Sequence, residues 1–286
     1  MRADRRRFLK TAGATISALS LGPAVIRSAF AQADVIKVAG IHDLSGGLDI
    51  YGRPMVDCLN FAVEEINSAG GLLGKQIKLI SYDAQSNIQL YTQFATEAAT
   101  KERVAVVHAG ITSASREAIR PVLKRFNTLY FYNTQYEGGV CDRNCFCTGS
   151  TPAQNVDKLV PYGIKKFGKK IYTVAADYNY GQITAKWVKK FAQENGGEIL
   201  QTDYFPLEVS DFGPAITKIQ AAKPDFIMSA LVGGNHIAFY RQWAAAGMNK
   251  SVPVSSTTFG NALEHGGGTI SITLTGLDGD VVLSIA

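Results

Sequence analysis

The chain has 286 residues, of which 46% are hydrophobic and 19% are charged, and its formal net charge is +5. This composition fits one large or two medium globular domains and excludes wholesale disorder. The excess charge lies at one end, because residues 1–33 carry six basic side chains and one acidic side chain, which leaves 23 of each in the remainder. A neutral body argues against nucleic acid as a partner.

Residues 1–33 are predicted to be an export signal. The run Arg5–Lys10 resembles the twin-arginine motif, and small residues ending at Ala31 and at Ala33 provide two candidate cleavage sites. A membrane anchor is the alternative, but the stretch Thr11–Ile26 is interrupted by glycine and proline and is too short to cross about 30 Å of bilayer. The sequence therefore predicts a soluble mature protein in the periplasm.

The first half of the mature chain alternates short apolar runs, typical of buried strands, with amphipathic segments typical of helices. The predicted strands are Val35–Ile41, Gln76–Tyr82, Val104–His108 and Leu129–Tyr132, and the predicted helices are Pro54–Asn67, Ile88–Lys101 and Ser115–Phe126. This order predicts a parallel sheet covered by helices on both faces.

The same order resumes after an irregular stretch at Gln135–Thr151. The predicted helices are Asn155–Phe167, Ile183–Asn195, Phe212–Ala222 and Asn235–Ala246, and the predicted strands are Lys170–Ala175, Glu198–Phe205, Asp225–Leu231 and Val252–Ser255. We therefore expect an α/β protein of two doubly wound parallel-sheet lobes around a hinge, with lobe 1 at 34–135, a crossover at 136–150 and lobe 2 at 151–265. Ligands bind such sheets at the carboxyl ends of the strands, here in a cleft between the lobes.

The loops after these strands carry hydroxyls and tyrosines rather than catalytic groups. The G-x-S-x-G, P-loop and H-E-x-x-H spacings do not occur in the sequence. His42 and Asp43 form the best acid–base candidate, but adjacent strand residues point to opposite faces. We therefore expect no enzyme, no cofactor and no metal site. Thr112 or Ser113 is suited to cap the helix that follows it, a role compatible with ligand binding.

Three of the four cysteines, Cys141, Cys145 and Cys147, lie in the irregular stretch. No histidine lies at the spacing usual for zinc ligands, which disfavours a metal site. In an oxidising compartment we expect Cys141 to pair with Cys145 or Cys147, with Cys141–Cys147 as the candidate disulfide, and three reduced thiols as the alternative. The fourth, Cys58, fits the apolar face of a helix and is expected in the core.

Several motifs of the mature chain carry a family resemblance. Val38–Gly46, Ala62–Asn67 and Gly70–Gly74, together with the export signal, resemble the type I periplasmic solute-binding proteins of ABC transporters. Four further segments resemble the branch of that family that binds urea and short-chain aliphatic amides: Ser113–Arg116, Tyr132–Gly138, Asp177–Tyr178 and Leu231–Gly234.

The resemblance implies roles for individual residues. Ser113 is similar to the hydroxyl that bonds the ligand amide, with Thr134 opposite it. Tyr132 and Tyr178, one from each lobe, resemble tyrosines whose rings close over the ligand. The other candidate ligand-binding positions are Ile111, Thr112, Tyr180, Val232 and Gly233.

The function implied is capture of urea or a short amide for delivery to an ABC permease and its ATPase at the inner membrane. A branched-chain amino acid-binding protein is one alternative, but it needs a carboxylate for the ligand ammonium, and Ser255–Gly260 offers none before Glu264. An amide-sensing regulator is the other alternative, but a cytoplasmic sensor does not need an export signal. Because the family returns to lobe 1, residues 266–286 are expected to begin that return in a C-terminally incomplete chain.

Overall fold

The structure, a computed structural model, describes residues 35–258 and the backbone of two strands beyond them, Ile270–Thr273 and Val282–Ile285, which pair antiparallel. The predicted signal at 1–33, Glu264 and most of the predicted return at 266–286 lie outside the described residues. No helix in the described part is both long and apolar enough to cross a membrane.

Lobe 1 is built on a parallel sheet with the strand order β2-β1-β3-β4-β5. Because the chain crosses from one side of β1 to the other, loops diverge at the carboxyl ends of β1 and β3, where ligands of such sheets bind. The elements in chain order are β1 (Ile36–His42), α1 (Asp49–Ser68), β2 (Ile77–Asp83), α2 (Ile88–Glu97, continued by a π-helical turn at Ala98–Glu102), β3 (Val106–Ala109), α3 (Ser113–Arg125), β4 (Leu129–Tyr132) and β5 (Cys145–Cys147).

Lobe 2 repeats the arrangement with the parallel strand order β7-β6-β8-β9. β6 and β8 are buried almost throughout, as expected for strands covered by helices on both faces. The elements are α4 (Pro152–Phe167), β6 (Lys170–Ala176), α5 (Asn179–Glu194), β7 (Glu198–Phe205), α6 (Gly213–Ala222), β8 (Phe226–Ala230), α7 (Gly234–Ala245), a 3₁₀ turn (Met248–Lys250) and β9 (Val254–Ser256).

The predicted α/β fold of two parallel sheets is confirmed, and Leu129–Tyr132 and Glu198–Phe205 match their predicted bounds. Helix α1 begins at Asp49, five residues before the start expected at Pro54, so Pro54 lies inside the helix rather than at its start. Strand β5 lies within the predicted crossover and was missed, because three residues are too few to show a period.

Candidate functional site between the lobes

The predicted ligand-binding residues follow four strands whose carboxyl ends meet between the lobes. Direct packing joins the lobes there, where Leu48 and Ile111 of lobe 1 form an apolar cluster with Tyr180 and Val232 of lobe 2. The N–H of Gly233 also donates to the Tyr51 hydroxyl across the cleft at 3.1 Å. The structure thus brings the two sets of predicted residues together.

The start of α3 lies at the lobe 1 wall of this cleft. Thr112 is the N-cap: its Oγ1 accepts the Ser115 N–H at 3.1 Å, and the Ser115 hydroxyl in turn accepts the Thr112 N–H at 3.1 Å. The capping role expected here is confirmed for Thr112. The cap engages the Thr112 side chain and leaves Ser113, the first residue of the helix, next to the cleft.

A buried ion pair backs Ser113. The Ser113 hydroxyl donates to Glu137 Oε2 at 2.5 Å, and Arg116 Nη2 donates to Glu137 Oε1 at 2.6 Å. The Arg116 guanidinium is flanked by the rings of Tyr132 and Tyr136, at 5.0 and 5.5 Å from the ring centroids. Burial alone would raise the pKa of Glu137, but the hydrogen bonds from Arg116 and Ser113 outweigh it and hold that pKa below its usual value. The site therefore contains a carboxylate that stays charged and internally neutralised.

Two further hydroxyls of lobe 1 converge on one carbonyl. The Tyr132 hydroxyl donates to the Ile111 carbonyl oxygen at 2.6 Å, and Thr134 Oγ1 donates to the same oxygen at 3.0 Å. Together with Ser113, three hydroxyls therefore donate their hydrogen bonds within lobe 1. Their oxygen lone pairs can still accept a hydrogen bond from another donor.

Lobe 2 contributes rings and backbone. Tyr178 and Tyr180 lie side by side with ring centroids 6.1 Å apart. The Tyr180 hydroxyl bonds Gln135 Oε1 at 2.9 Å and Thr257 Oγ1 at 3.0 Å, and Gln135 Nε2 donates to the Thr257 carbonyl at 2.6 Å. Burial raises the pKa of Tyr180 to about 12, so the group stays a neutral phenol. These bonds fasten the segment after β4 to lobe 2.

His42 and Asp43 point to opposite sides of the lobe 1 sheet, as expected. On one side His42 Nε2 and His108 Nδ1 share a hydrogen bond at 2.9 Å, and His108 Nε2 contacts Asn133 Nδ2. On the other side Asp43 Oδ1 accepts the Ser86 N–H at 2.7 Å. Burial, aided by His108, lowers the pKa of His42 to about 3, and burial lowers that of His108 to about 4, so both rings are neutral near pH 7.

All four cysteines are free in the structure, which differs from the expected Cys141–Cys147 disulfide. Alternate residues of an extended strand share a face, so Cys145 and Cys147 both pack against the lobe 1 core, whereas Cys141 is exposed ahead of β5. Cys58 is exposed rather than in the core, because α1 is buried through Gly52 and Val56 instead.

Sequence reasoning missed Glu137, Arg116 and Gln135 as site residues. Glu137 lies in the Tyr-Glu-Gly segment and Arg116 in the Ser-Ala-Ser-Arg segment that carry the resemblance. From the sequence alone, however, a charged side chain is expected to be solvated, because its partner is not known. The 21-residue separation of Arg116 from Glu137 matches no local period.

Comparison with known proteins agrees with this architecture. The family model described as "Periplasmic binding protein domain" matches residues 36–265. The chain belongs to the periplasmic binding protein family. Members of this family are solute-binding proteins rather than enzymes.

Individual relatives within the periplasmic binding protein family are distant. A Leu/Ile/Val-binding protein homolog 7 from Brucella suis is 26% identical over 259 residues, covering 84% of this chain and 62% of the relative. The chain thus spans about three-fifths of the length of that relative.

Solved structures share the fold. A solute-binding protein of an ABC transporter from Rhodopseudomonas palustris in complex with 3,4-dihydroxybenzoic acid has a TM-score of 0.70 at 22% identity, covering 78% of this chain and 62% of that one. A branched-chain amino acid transporter substrate-binding protein from Streptococcus pneumoniae in complex with isoleucine has a TM-score of 0.69 at 23% identity, covering 78% and 64%.

Proposed function

We propose that this chain is the solute-binding component of an ABC importer and captures urea or a short aliphatic amide between its lobes. The export signal predicted at 1–33 takes it to the periplasm in this proposal. Hinge closure then clamps the solute before the protein docks on its permease and the associated ATPase.

The observation that carries the proposal is the direction of the hydroxyl hydrogen bonds in lobe 1. Ser113, Tyr132 and Thr134 all donate within lobe 1, so a solute that reaches these hydroxyls would meet them as acceptors. Amides and urea supply N–H donors for such acceptors. The backbone N–H groups of Ser113 and Ala114 have no hydrogen bond among the described residues and supply donors for the solute C=O.

Direct contact between the lobes supports a small solute. Leu48 and Ile111 pack on Tyr180 and Val232, and the rings of Tyr132 and Tyr178 lie on opposite sides of the junction. A large ligand would have to separate these groups further than a solute of a few heavy atoms would, at a greater loss of interlobe packing.

A branched-chain amino acid is the second candidate, favoured by the names of the relatives. Its ammonium needs an anionic partner, because an unpaired buried charge costs several kcal/mol. Uncharged groups of lobe 2 reach the junction in the described part, namely Tyr178, Tyr180, Val232, Gly233 and Thr257. This supports the neutral solute over the zwitterion.

Calorimetric titration of the purified protein with urea, acetamide, formamide and leucine tests the proposal. We expect amide or urea binding, weakened about tenfold or more in Ser113→Ala because one hydrogen bond to the solute is lost. Ser210→Ala, at an exposed serine of lobe 2, serves as the matched control and should bind as the wild type does. Tight leucine binding with silent amides and urea contradicts the proposal.

A further inference from the structure

One carboxylate of the chain itself is bound by a hydroxyl and a guanidinium of α3. One Glu137 carboxylate oxygen accepts a hydrogen bond from the Ser113 hydroxyl at 2.5 Å, and the other accepts one from the Arg116 guanidinium at 2.6 Å. The Glu137 side chain is 9% exposed and that of Arg116 is 2% exposed. A hydroxyl donor beside an arginine is a pair that recognises carboxylates, and here both are already occupied.

We propose that Glu137 is a specificity-determining residue that excludes carboxylate-bearing solutes from the interlobe site. Its charge fills the anion-binding position formed by Ser113 and Arg116, so a second carboxylate would meet a like charge in a poorly solvated space without a free cation. Neutral solutes meet no such repulsion. This inference rests on the proposed function, since it assumes that Ser113 faces the solute.

The solved relatives give the inference its contrast. They are complexes with 3,4-dihydroxybenzoic acid and isoleucine, both of which carry a carboxyl group. In this chain a carboxylate from the segment between β4 and β5 is held by an ion pair within lobe 1.

Arg116 has a second partner that allows a matched control. Its Nε contacts Glu117 Oε1 at 3.0 Å, but Glu117 is 39% exposed and also bonds Arg120, so it lies on the outer side of the guanidinium. Glu117→Gln removes the negative charge of the other carboxylate that contacts Arg116. It leaves Glu137 in its place between Ser113 and Arg116.

The experiment compares acetamide with acetate, two solutes of nearly equal shape that differ in charge. Binding is measured by calorimetry and by the shift in Tm for the wild type, Glu137→Ala, Glu137→Gln and Glu117→Gln, with sodium chloride matching the ionic strength. We expect the wild type to bind acetamide and not acetate. Glu137→Ala should gain acetate binding by about tenfold or more, because acetate replaces the lost carboxylate between Ser113 and Arg116.

Glu137→Gln keeps the side-chain shape and covers the case in which Glu137→Ala does not fold. It should lose most of the discrimination between acetamide and acetate, whereas Glu117→Gln should keep it. Wild-type acetate binding equal to acetamide binding overturns the inference, as does full discrimination retained by every folded Glu137 variant.

The two proposals fail in different ways. Amide binding by the wild type without any gain of acetate in the Glu137 variants overturns the role of Glu137 and leaves the proposed function intact. A wild type silent to amides and urea, with acetate gained by Glu137→Ala, supports the charge-excluding role and overturns the amide assignment.

Discussion

The two lobes share an architecture but bury different kinds of polar group. Lobe 1 buries ionisable side chains, namely His42, Asp43, Arg116 and, at its edge, Glu137. Among the described residues, the buried polar side chains of lobe 2 include one ionisable group, His236, and otherwise only hydroxyls and an amide: Thr173, Thr184, Ser229, Asn235 and Thr257. The contrast fits the proposed function, in which lobe 1 sets the chemistry of the solute and lobe 2 supplies shape and closure.

Removing the cation of lobe 1 should give the largest effect. Arg116→Ala leaves the Glu137 carboxylate buried with only Ser113 as its described side-chain partner, and breaking a buried pair in this way costs about 3–5 kcal/mol. Unfolding in guanidinium chloride measures this, because urea is the proposed ligand. Arg120→Ala, on the same helix, removes a guanidinium that is 30% exposed and should cost less, because Glu117 stays open to solvent and Asp142 keeps the Lys124 ammonium and the Asn144 N–H as partners. Equal costs for the two variants would contradict the difference drawn between buried and exposed charge.

Acid should destabilise lobe 1 through its histidines. The folded-state pKa values of His42 and His108, about 3 and 4, lie below the unfolded value near 6.5, so the unfolded chain binds more protons as the pH falls from 7 to 5. Stability should drop by about 2 kcal/mol for a fully buried histidine over this range, and by less for the partly exposed His108. Guanidinium unfolding at pH 7, 6 and 5 measures the slope.

The acid effect has an internal check. His108→Gln removes one titrating ring and should flatten the slope. Glu137 does not contribute in this range, because its lowered pKa means that its share of the stability is lost only below about pH 4.5. The raised pKa of buried Asp43 acts in the opposite direction and is common to both proteins. An unchanged slope in His108→Gln would show that the histidines are not the cause.

Local patterns were enough to predict the fold and the strand ends that meet between the lobes. The parallel strands are short apolar runs between amphipathic segments, so their order follows from the sequence, and the candidate residues at the ends of β3, β4, β6 and β8 follow from the rule that ligands bind at strand ends. Strand β5 was not predicted because its pairing with β4 depends on a loop returning to the sheet. The ion pair of Arg116 with Glu137 was not predicted for the same reason, since the two residues meet only in the folded lobe.

Whether each hydroxyl donates or accepts a hydrogen bond could not be predicted from the sequence either. Ser113 and Thr134 are suited to donate or accept, and only the positions of Glu137 and the Ile111 carbonyl show that their protons point inward. This direction decides whether a solute meets donors or acceptors, so the solute chemistry depends on contacts that no periodicity encodes.

Blocking closure from lobe 2 should give the smallest effect, measured on solute binding. At Gly233, where φ is +73°, an added Cβ would lie 2.9 Å from Leu48 Cδ2 and 3.1 Å from the Gly47 carbonyl oxygen of the opposite lobe. Gly247 has φ +71° and ψ 8°, in the left-handed helical region, and no atom within 4 Å of the same position, so Gly247→Ala costs about 1 kcal/mol without the clash. Gly233→Ala should lose more stability in guanidinium chloride, because its ψ of −144° lies in a region that is essentially confined to glycine. Gly233→Ala alone should weaken binding of urea or acetamide about tenfold, or about 1.4 kcal/mol, because the Gly47 backbone cannot move aside without opening the cleft. Equal loss of binding in both variants, or none in Gly233→Ala, would show that contact at Gly233 is not needed for closure.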